Sequence, residues 1–367
     1  MPITSIQSVR EGHWHHSAGF KGFDAIVDAA GNGDYTTIQA AVTAGAASIL
    51  VVPGTYTLTA DITMANDQKL TGINRDTCIV QLGEFKIVLG QRSLLERLRF
   101  TGTGTTAIQA SADSRVTECR FFTVGRVDIA STGTEIISNW FQAENALTLP
   151  AVYILVGGSL VRIVSNQFDA TAQAIAAAGA TREVLISGNI FSNRPSAAAA
   201  IIALSNPSNL RLLIVGNVFN GVDARAGAID LAGSGCVVQG NTLTALDNLP
   251  RRFGILFRNG NSVIIDGNTI AGFNNGIQLG QAALVTERLV VANNRVAPTE
   301  WSGIFLLDTD DAILQGNIVS GAPGYGINIS NAACDRTIVS FNNLVGNTTG
   351  GIQDLGTGTV LFQNKTA

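Results

Sequence analysis

The sequence carries little charge, and this scarcity excludes several classes of protein. Asp, Glu, Lys and Arg make up 14% of the 367 residues, the formal net charge is −4, and the isoelectric point is about 5.4. A long coiled coil or a charged helical bundle would need far more Glu, Lys and Arg. No basic block is present to neutralise phosphates, so we expect no nucleic-acid partner.

Long hydrophobic runs are also missing, although 46% of the residues are hydrophobic and the mean hydropathy is +0.27. The stretch Ala151–Val164 is interrupted by two glycines and Arg162, and it falls short of the ~18 unbroken apolar residues that span a bilayer. The N-terminus lacks a basic region followed by an apolar core. We therefore expect neither a membrane span nor a secretory signal.

Cysteines are few, and their spacing excludes the usual cysteine-rich sites. The four residues Cys78, Cys119, Cys236 and Cys334 lie far apart and form no CxxC pair. This pattern predicts buried free thiols rather than a disulfide framework or a zinc site. The sequence implies no cofactor, and a divalent cation is the one ion that its acidic residues leave open.

What the sequence does contain is a repeated motif of a small residue, an asparagine, any residue and an apolar residue. Its asparagines recur every 21–28 residues, at Asn139, Asn166, Asn189, Asn217, Asn241, Asn268, Asn294, Asn317, Asn343 and, in a degenerate copy, Asn364. Each period holds three short strands rich in Val, Ile and Leu, separated by turns, with no room for a helix. This is the pattern of one coil of a parallel β-helix. We predict an all-β fold, a parallel β-helix of about a dozen coils.

The asparagine has a physical role in such a fold. Asn and Gly adopt the left-handed backbone region at low energy, so they fit a tight corner between two strands. Stacked coils would align the asparagine amides in one hydrogen-bonded column. The apolar residue two positions later, from Phe141 to Val345, would then point into the core.

The start of the chain differs from the repeats. The segment Asp34–Ala47 predicts an amphipathic helix, and the strand ILVVPGTY follows it, as expected of a cap over the open end of a solenoid. This segment resembles the start of the pectate lyase-like superfamily, which includes pectin methylesterases and bacteriophage tailspikes. The resemblance implies a right-handed parallel β-helix, and it is closest in character to tailspike and appendage proteins, which are often trimeric. We predict a docking arm over residues 1–22, the capping helix and first strand over 23–60, and the β-helix over 61–367.

Acidic residues recur at one position of the repeat. Six residues after the asparagine, four successive coils carry Asp223, Asp247, Asn274 and Glu300. Stacking would place Asp223 and Asp247 roughly 5 Å apart, which is the carboxylate separation of a retaining glycosidase. Asp223, Asp247 and Glu300 are therefore candidate catalytic residues. Salt bridges on a loop face are the alternative interpretation.

Arginines and aromatic residues lie near these carboxylates. Arg251, Arg252, Trp301 and Tyr325 are candidate substrate-binding residues, because forked donors and flat rings suit an extended sugar chain. The densest acidic cluster, in the segment Asp308–Asp311, falls on a turn. It is either a solvated turn or a cation site.

Two further features concern assembly. Leu256 and Phe305 occupy outward strand positions, where they would form an exposed apolar patch; burial against neighbouring subunits would explain them and predicts a homotrimer. In the N-terminal arm, His13 and His15 share one face of an extended strand. On a threefold axis, such pairs would offer six imidazoles to one transition metal, and an arm without metal is the alternative.

These features favour a virion appendage of the tailspike or fibre kind, located on the virion or extracellular surface. It would recognise a host surface polysaccharide and attach to the virion through its N-terminal arm. The alternative is a pectate lyase-like polysaccharide lyase or glycoside hydrolase, which the acidic residues favour. A non-catalytic bacterial surface β-helix is a third interpretation, and the sequence leaves open whether the protein is an enzyme.

Overall fold

The structure is a computed structural model, and it describes residues 22–102, 104–122, 125–142, 150–169, 173–192, 200–222, 227–245, 253–282, 286–298 and 300–366. The chain divides into two compact units, residues 1–145 and 146–367. In both units the described strands form parallel sheets, and most coils contribute one strand to each of three sheets. We name the sheets by their order in a coil: sheet 1 precedes the repeat asparagine, sheet 2 follows it, and sheet 3 comes last.

The described strands of the first unit are short. In sheet 1 they are Ala25–Val27, Ser48–Val51, Lys69–Gly72, Leu94–Glu96, Arg115–Thr117 and Glu135–Ile137; in sheet 2, Gly54–Thr57, Cys78–Gly83, Arg99–Gly102, Arg120–Phe122 and Trp140–Gln142; in sheet 3, Ile62–Thr63, Ile87–Val88, Thr106–Ala110 and Arg126–Ile129.

The second unit repeats the same arrangement over more coils. Its described strands in sheet 1 are Arg162–Val164, Leu185–Ser187, Leu213–Val215, Val237–Gln239, Gly260–Asp266, Thr286–Ala292, Thr309–Gln315, Ile338–Ser340 and Val360–Phe362. Those in sheet 2 are Gln167–Asp169, Ile190–Ser192, Val218–Val222, Thr242–Ala245, Thr269–Ala271, Arg295–Ala297 and Ile318–Val319. Those in sheet 3 are Val152–Ile154, Ile175–Ala177, Ile202–Leu204, Ile229–Leu231, Phe253–Phe257, Asn275–Leu279, Ile304–Leu306, Tyr325–Ile329 and Gly350–Asp354.

The start of the first unit carries one short helix, Ile38–Thr43. It is shorter than the predicted segment Asp34–Ala47, because Thr37 adopts an extended backbone and its hydroxyl caps the helix by accepting from the Ala40 amide at 3.2 Å. Ile38, Ala41 and Val42 are buried, as the periodicity predicts.

The predicted asparagine column is present in the second unit. The backbone N–H and the side-chain Nδ2 of Asn217 both donate to Oδ1 of Asn241 at 2.9 Å, and Asn241 makes the same pair of bonds to Asn268. The same bonds link each remaining rung to the next, through Asn166, Asn189, Asn217, Asn241, Asn268, Asn294, Asn317, Asn342 and Asn364. We call this series the amide ladder.

One rung differs from the prediction. Asn342, and not Asn343, occupies the ladder: Asn342 is 1% exposed, whereas Asn343 is exposed. The inward residue moves with it, so Leu344 is buried and Val345 is not. Asn343 matches the motif, whereas Asn342 follows the large residue Phe341. The strand register nonetheless selects Asn342, which stands two residues after Ser340 as Asn317 stands two residues after Gln315.

The core is made of residues that stack on their counterparts in the next coil. Two positions after the rungs, Phe168, Phe191 and Phe219 stack at 5.0 and 4.5 Å between ring centroids, and in the first unit Phe121 and Phe141 stack at 4.7 Å. All four cysteines are buried free thiols, as predicted.

Candidate functional site

A cleft lies over the outward face of sheet 3 in the second unit. Its volume is about 430 Å³, within the ~300–1,000 Å³ range of small-ligand sites. Three successive strands form its floor, Asn275–Leu279, Ile304–Leu306 and Tyr325–Ile329. The lining residues are Asn275, Gln278, Glu300, Trp301, Ser302, Phe305, Pro323, Gly324, Tyr325 and Asn328. The cleft therefore joins Glu300, Trp301 and Tyr325, which the sequence predicts as site residues.

Trp301 is the most accessible aromatic group of the cleft, with 53% of its surface exposed. Its backbone is fixed on both sides, because its N–H donates to the Asn274 carbonyl at 3.0 Å and its carbonyl accepts from the Gly324 N–H at 2.8 Å. A Cβ atom at position 324 would stand only 2.7 Å from that carbonyl oxygen, so glycine lets the two segments approach. The indole is thus an exposed ring on a rigid support.

Glu300 is held by the coil before it. Nδ2 of Asn274 donates to Oε2 of Glu300 at 2.6 Å, so these two residues, each six positions after its rung, stack in adjacent coils. One residue later, the Oδ1 of buried Asn275 accepts from the Ser302 amide at 3.0 Å. These two asparagines fix the segment that carries both Glu300 and Trp301.

The floor of the cleft contains an unsatisfied acceptor. Gln278, Phe305 and Asn328 lie opposite one another on successive strands and point outward. The Asn328 Oδ1 is buried and has no hydrogen-bond partner. A buried acceptor left without a donor is destabilising by roughly 1–3 kcal/mol, so this atom favours a ligand that brings an O–H or N–H group.

The charge of the cleft is simple. Among the described lining residues, Glu300 is the one ionisable acid and no Lys, Arg or His is present. Further along the same outward column, Asp230 is neutralised by Arg258 through two bonds of 2.7 Å, and this contact raises the pKa of the Arg258 guanidinium. The cleft thus offers acceptors and an apolar ring rather than cations.

Leu256 corrects one prediction. It lies in the same outward column, opposite Asp230 and Gln278, but only 5% of it is exposed. Phe305 is half-buried and lines the cleft. The two residues therefore do not form the exposed apolar patch that the sequence predicts, because Leu256 is already covered within the chain.

The other predicted site residues divide into two groups. Asp223, Asp247, Arg251, Arg252, His13 and His15 lie outside the described residues. The predicted acidic turn is wrong for most of its length, because Asp310 and Asp311 lie within the strand Thr309–Gln315. Arg336 binds Asp311 at 2.7 Å and lowers the pKa of that carboxyl, while Asn331 donates to Asp308 at 2.7 Å, so these carboxylates have partners within the chain. No group of three or more His, Cys, Asp or Glu side chains that could hold a metal ion occurs in the described part of the chain.

The comparisons with known proteins agree with this architecture. Residues 200–367 match the family model described as the right-handed β-helix region, which is slightly under half of the chain. The predicted right-handed parallel β-helix is thereby confirmed. No curated protein matches the sequence.

Among solved structures, the chain is similar to an alginate lyase of family PL6 in complex with a trisaccharide, at 12% identity and a TM-score of 0.54, covering 86% of this chain and 78% of that one. It is similar to the periplasmic alginate epimerase AlgG, at 12% identity and a TM-score of 0.52, covering 85% and 78%. A tailspike protein of bacteriophage CBA120 also aligns, at 14% identity and a TM-score of 0.49; the match covers 89% of this chain and 56% of the tailspike. At these identities the similarity concerns the fold.

Proposed function

We propose that this β-helix binds a polysaccharide through the sheet 3 cleft and acts as a surface appendage of the tailspike kind. The observation that carries the proposal is the exposed Trp301 ring beside the unpartnered Asn328 Oδ1. A flat apolar ring stacks on the apolar face of a pyranose, and a buried acceptor bonds one of its hydroxyl groups. The stacked coils extend the same outward face in both directions, as a chain-like ligand requires.

The charge of the cleft favours one class of sugar. Glu300 would repel a uronate carboxylate, and the described lining residues include no cation that would neutralise one. Glu300 and Asn328 would instead accept from sugar hydroxyls or from the N–H of an acetamido group. We therefore propose a neutral or N-acetylated polysaccharide at this subsite, in contrast to the alginate of the lyase and epimerase named above.

The setting of this activity belongs to the same proposal. The partner would be a host surface polysaccharide, and the location would be a virion or another extracellular surface, with residues 1–22 as the attachment arm. In the described residues, no helix is long and apolar enough to cross a bilayer. We propose a homotrimer as the assembled form.

The test is binding to a panel of bacterial capsular and cell-wall glycans, including neutral, N-acetylated and polyuronate members. Trp301→Ala should weaken binding at least tenfold, with an unchanged circular dichroism spectrum. Phe341→Ala is the matched control, because Phe341 is 52% exposed and lies away from the cleft. Equal losses in both variants, or no binding to any glycan, would overturn the proposal.

Cleavage is the second candidate function, because Glu300 lies in the cleft and stacks on the coil position that Asp223 and Asp247 share. Reducing-sugar and unsaturated-uronate assays on the bound glycans test it. Products that Asp247→Asn abolishes, with binding retained, would establish an enzyme. Binding without products would leave a recognition protein, the outcome that we expect.

A further inference from the structure

We propose that copies of this chain assemble through the outward face of sheet 1 in the second unit. There, one aliphatic side chain per coil faces outward on eight successive strands: Leu185, Leu213, Val237, Ile264, Val290, Ile313, Ile338 and Val360. We call this series the aliphatic column. Each member lies directly opposite the next in parallel register, four residues before its ladder asparagine.

The aliphatic column is accessible in the single chain. Ile264 is 42% exposed, Ile338 41% and Leu213 37%, whereas the inward residues that follow them, Ile265, Val339 and Ile214, are at most 1% exposed. Apolar patches that run continuously over this length are uncommon on soluble monomers and mark interaction surfaces.

The first unit shows that the fold does not require this composition. There, the corresponding outward positions of sheet 1 are Ser48, Lys69, Leu94, Arg115 and Glu135, and Arg115 binds Glu135 across one coil at 2.6 Å. A polar, solvated column thus serves the first unit. The uninterrupted aliphatic column of the second unit needs a different explanation.

Charges beside the aliphatic column are largely satisfied within the chain. On one side, Arg211 contacts Glu183, and Arg336 binds Asp311 at 2.7 Å. On the other side, Gln239 donates to Asp266 at 2.9 Å. A partner can therefore cover this face without having to neutralise these carboxylates, which removes the main penalty for burying charge.

The face reaches the minimum size of a specific interface. Eight strands at the spacing of a sheet span about 34 Å. Three of them are seven residues long and the other five are three residues long, so the average strand is about 15 Å long. The face therefore measures about 500 Å², and two copies packed through it would bury about 1,000 Å² in total, the lower bound of a specific protein interface.

A second copy of this chain is the occupant that the chemistry selects. Two copies of the chain can pack with their aliphatic columns against each other, because the column is straight and the charged residues named beside it are paired within their own chain. A membrane surface would call for a rim with net positive charge, whereas Arg211 and Arg336 are paired with acidic residues of the same chain. A sugar would call for aromatic rings, and all eight members of the column are aliphatic. This inference rests on the homo-oligomer of the proposed function but not on glycan binding, because the cleft lies on sheet 3.

The experiment compares two double variants by size-exclusion chromatography with light scattering at 1–100 µM. Ile264→Asp/Ile313→Asp disrupts the aliphatic column. Ile190→Asp/Ile318→Asp is the control, because both control residues are 43% exposed and lie on sheet 2. We expect oligomers from the wild type and the control, and at least 100-fold weaker association of the column variant with an unchanged circular dichroism spectrum. A monomeric wild type, an assembled column variant or equal dissociation of the control would overturn the inference.

Cross-linking provides a second measurement if the charged variants unfold. The four native cysteines are buried. Ile264→Cys or Ile313→Cys would therefore give the protein a single accessible thiol. A bismaleimide should link copies of either column variant but not of Ile318→Cys, and no link in either column variant would contradict the assignment. Glycan affinity per site should stay unchanged in Ile264→Asp/Ile313→Asp, so a failure of assembly and a failure of recognition give different results.

Discussion

The amide of Asn274 donates to the carboxylate of Glu300 across one coil, at 2.6 Å between Nδ2 and Oε2. Asn274 is 5% exposed, whereas Glu300 is exposed to solvent. The two coils before it carry Asp223 and Asp247 at the same repeat position. Asn274 is therefore the neutral residue at a repeat position that is acidic in the other three of these four coils, and its amide supplies a hydrogen bond to Glu300.

The first prediction follows from this pair. Asn274→Asp would place a second carboxylate beside Glu300 and should destabilise the fold by about 1–2 kcal/mol at pH 7. Repulsion raises the folded-state pKa values of the pair above the unfolded value near 4, so the penalty is full at a pH above the raised values and is lost as the pH falls through them towards 4. Urea unfolding at pH 7 and pH 4 measures the difference. Adding Glu300→Gln should restore stability at pH 7, and a pH-independent loss would contradict the mechanism.

The second prediction concerns the amide ladder. Asn241→Ala removes the acceptor of two donors of Asn217, and both donors are buried. The free energy of unfolding should fall by about 2–4 kcal/mol, because each unpaired buried donor destabilises the fold by roughly 1–3 kcal/mol. Gln239→Ala, two residues earlier on the exposed surface, is the control and should change stability by less than about 1 kcal/mol. Chemical denaturation measures both variants, and similar losses would argue against the ladder as a stabilising element.

The third prediction concerns the thiols. Burial raises the pKa of Cys119 to about 12 and that of Cys236 to about 11, and Cys78 also has a raised pKa. At pH 8 no thiol of the native protein should react with an aromatic disulfide reagent, and all four should react after denaturation. Since the folded state holds these protons more tightly, stability should decline as the pH rises from about 9 towards 12. A fast-reacting thiol in the native protein would contradict the burial.

The fourth prediction concerns how the ligand is held. A neutral glycan bound by Trp301 and Asn328 should lose less than about twofold in affinity between 50 and 500 mM NaCl, because screening acts on charge pairs. Isothermal calorimetry at the two salt concentrations measures this. The affinity for a polyuronate bound by Arg251 and Arg252 would instead fall steeply with salt. A steep salt dependence would therefore indicate that the glycan binds at those arginines rather than in the cleft.

The repeat made the solenoid predictable, because stacking imposes the same corner and the same inward residue on every coil. The choice of Asn342 over Asn343 was not predictable, since Phe341 before Asn342 breaks the motif and only the register of the strand Ile338–Ser340 selects Asn342. Glu300, Trp301 and Tyr325 could be placed from the spacing. Asn328 could not, because its acceptor becomes notable only through burial without a partner.

The aliphatic column shows a different limit of sequence reasoning. In strands such as the one carrying Ile264 and Ile265, two aliphatic residues are adjacent, and this pattern is typical of a strand that is buried on both faces. The structure buries Ile265 and leaves Ile264 42% exposed. The apolar pattern was visible in the sequence, whereas only the structure shows that one face of these strands is exposed to solvent.

The amide ladder also allows the number of coils to vary. Between two coils, a ladder asparagine accepts two hydrogen bonds from the asparagine of the preceding coil and donates two to the asparagine of the following coil. Every rung therefore presents the same pair of donors to the next one. Removing the 24 residues from Asn217 to Gly240 would bring Asn189 to Asn241 with the same donors facing the same acceptor. Insertion or loss of a whole period is therefore neutral for the ladder, and the length of such a protein can change by duplication and deletion in steps of one coil.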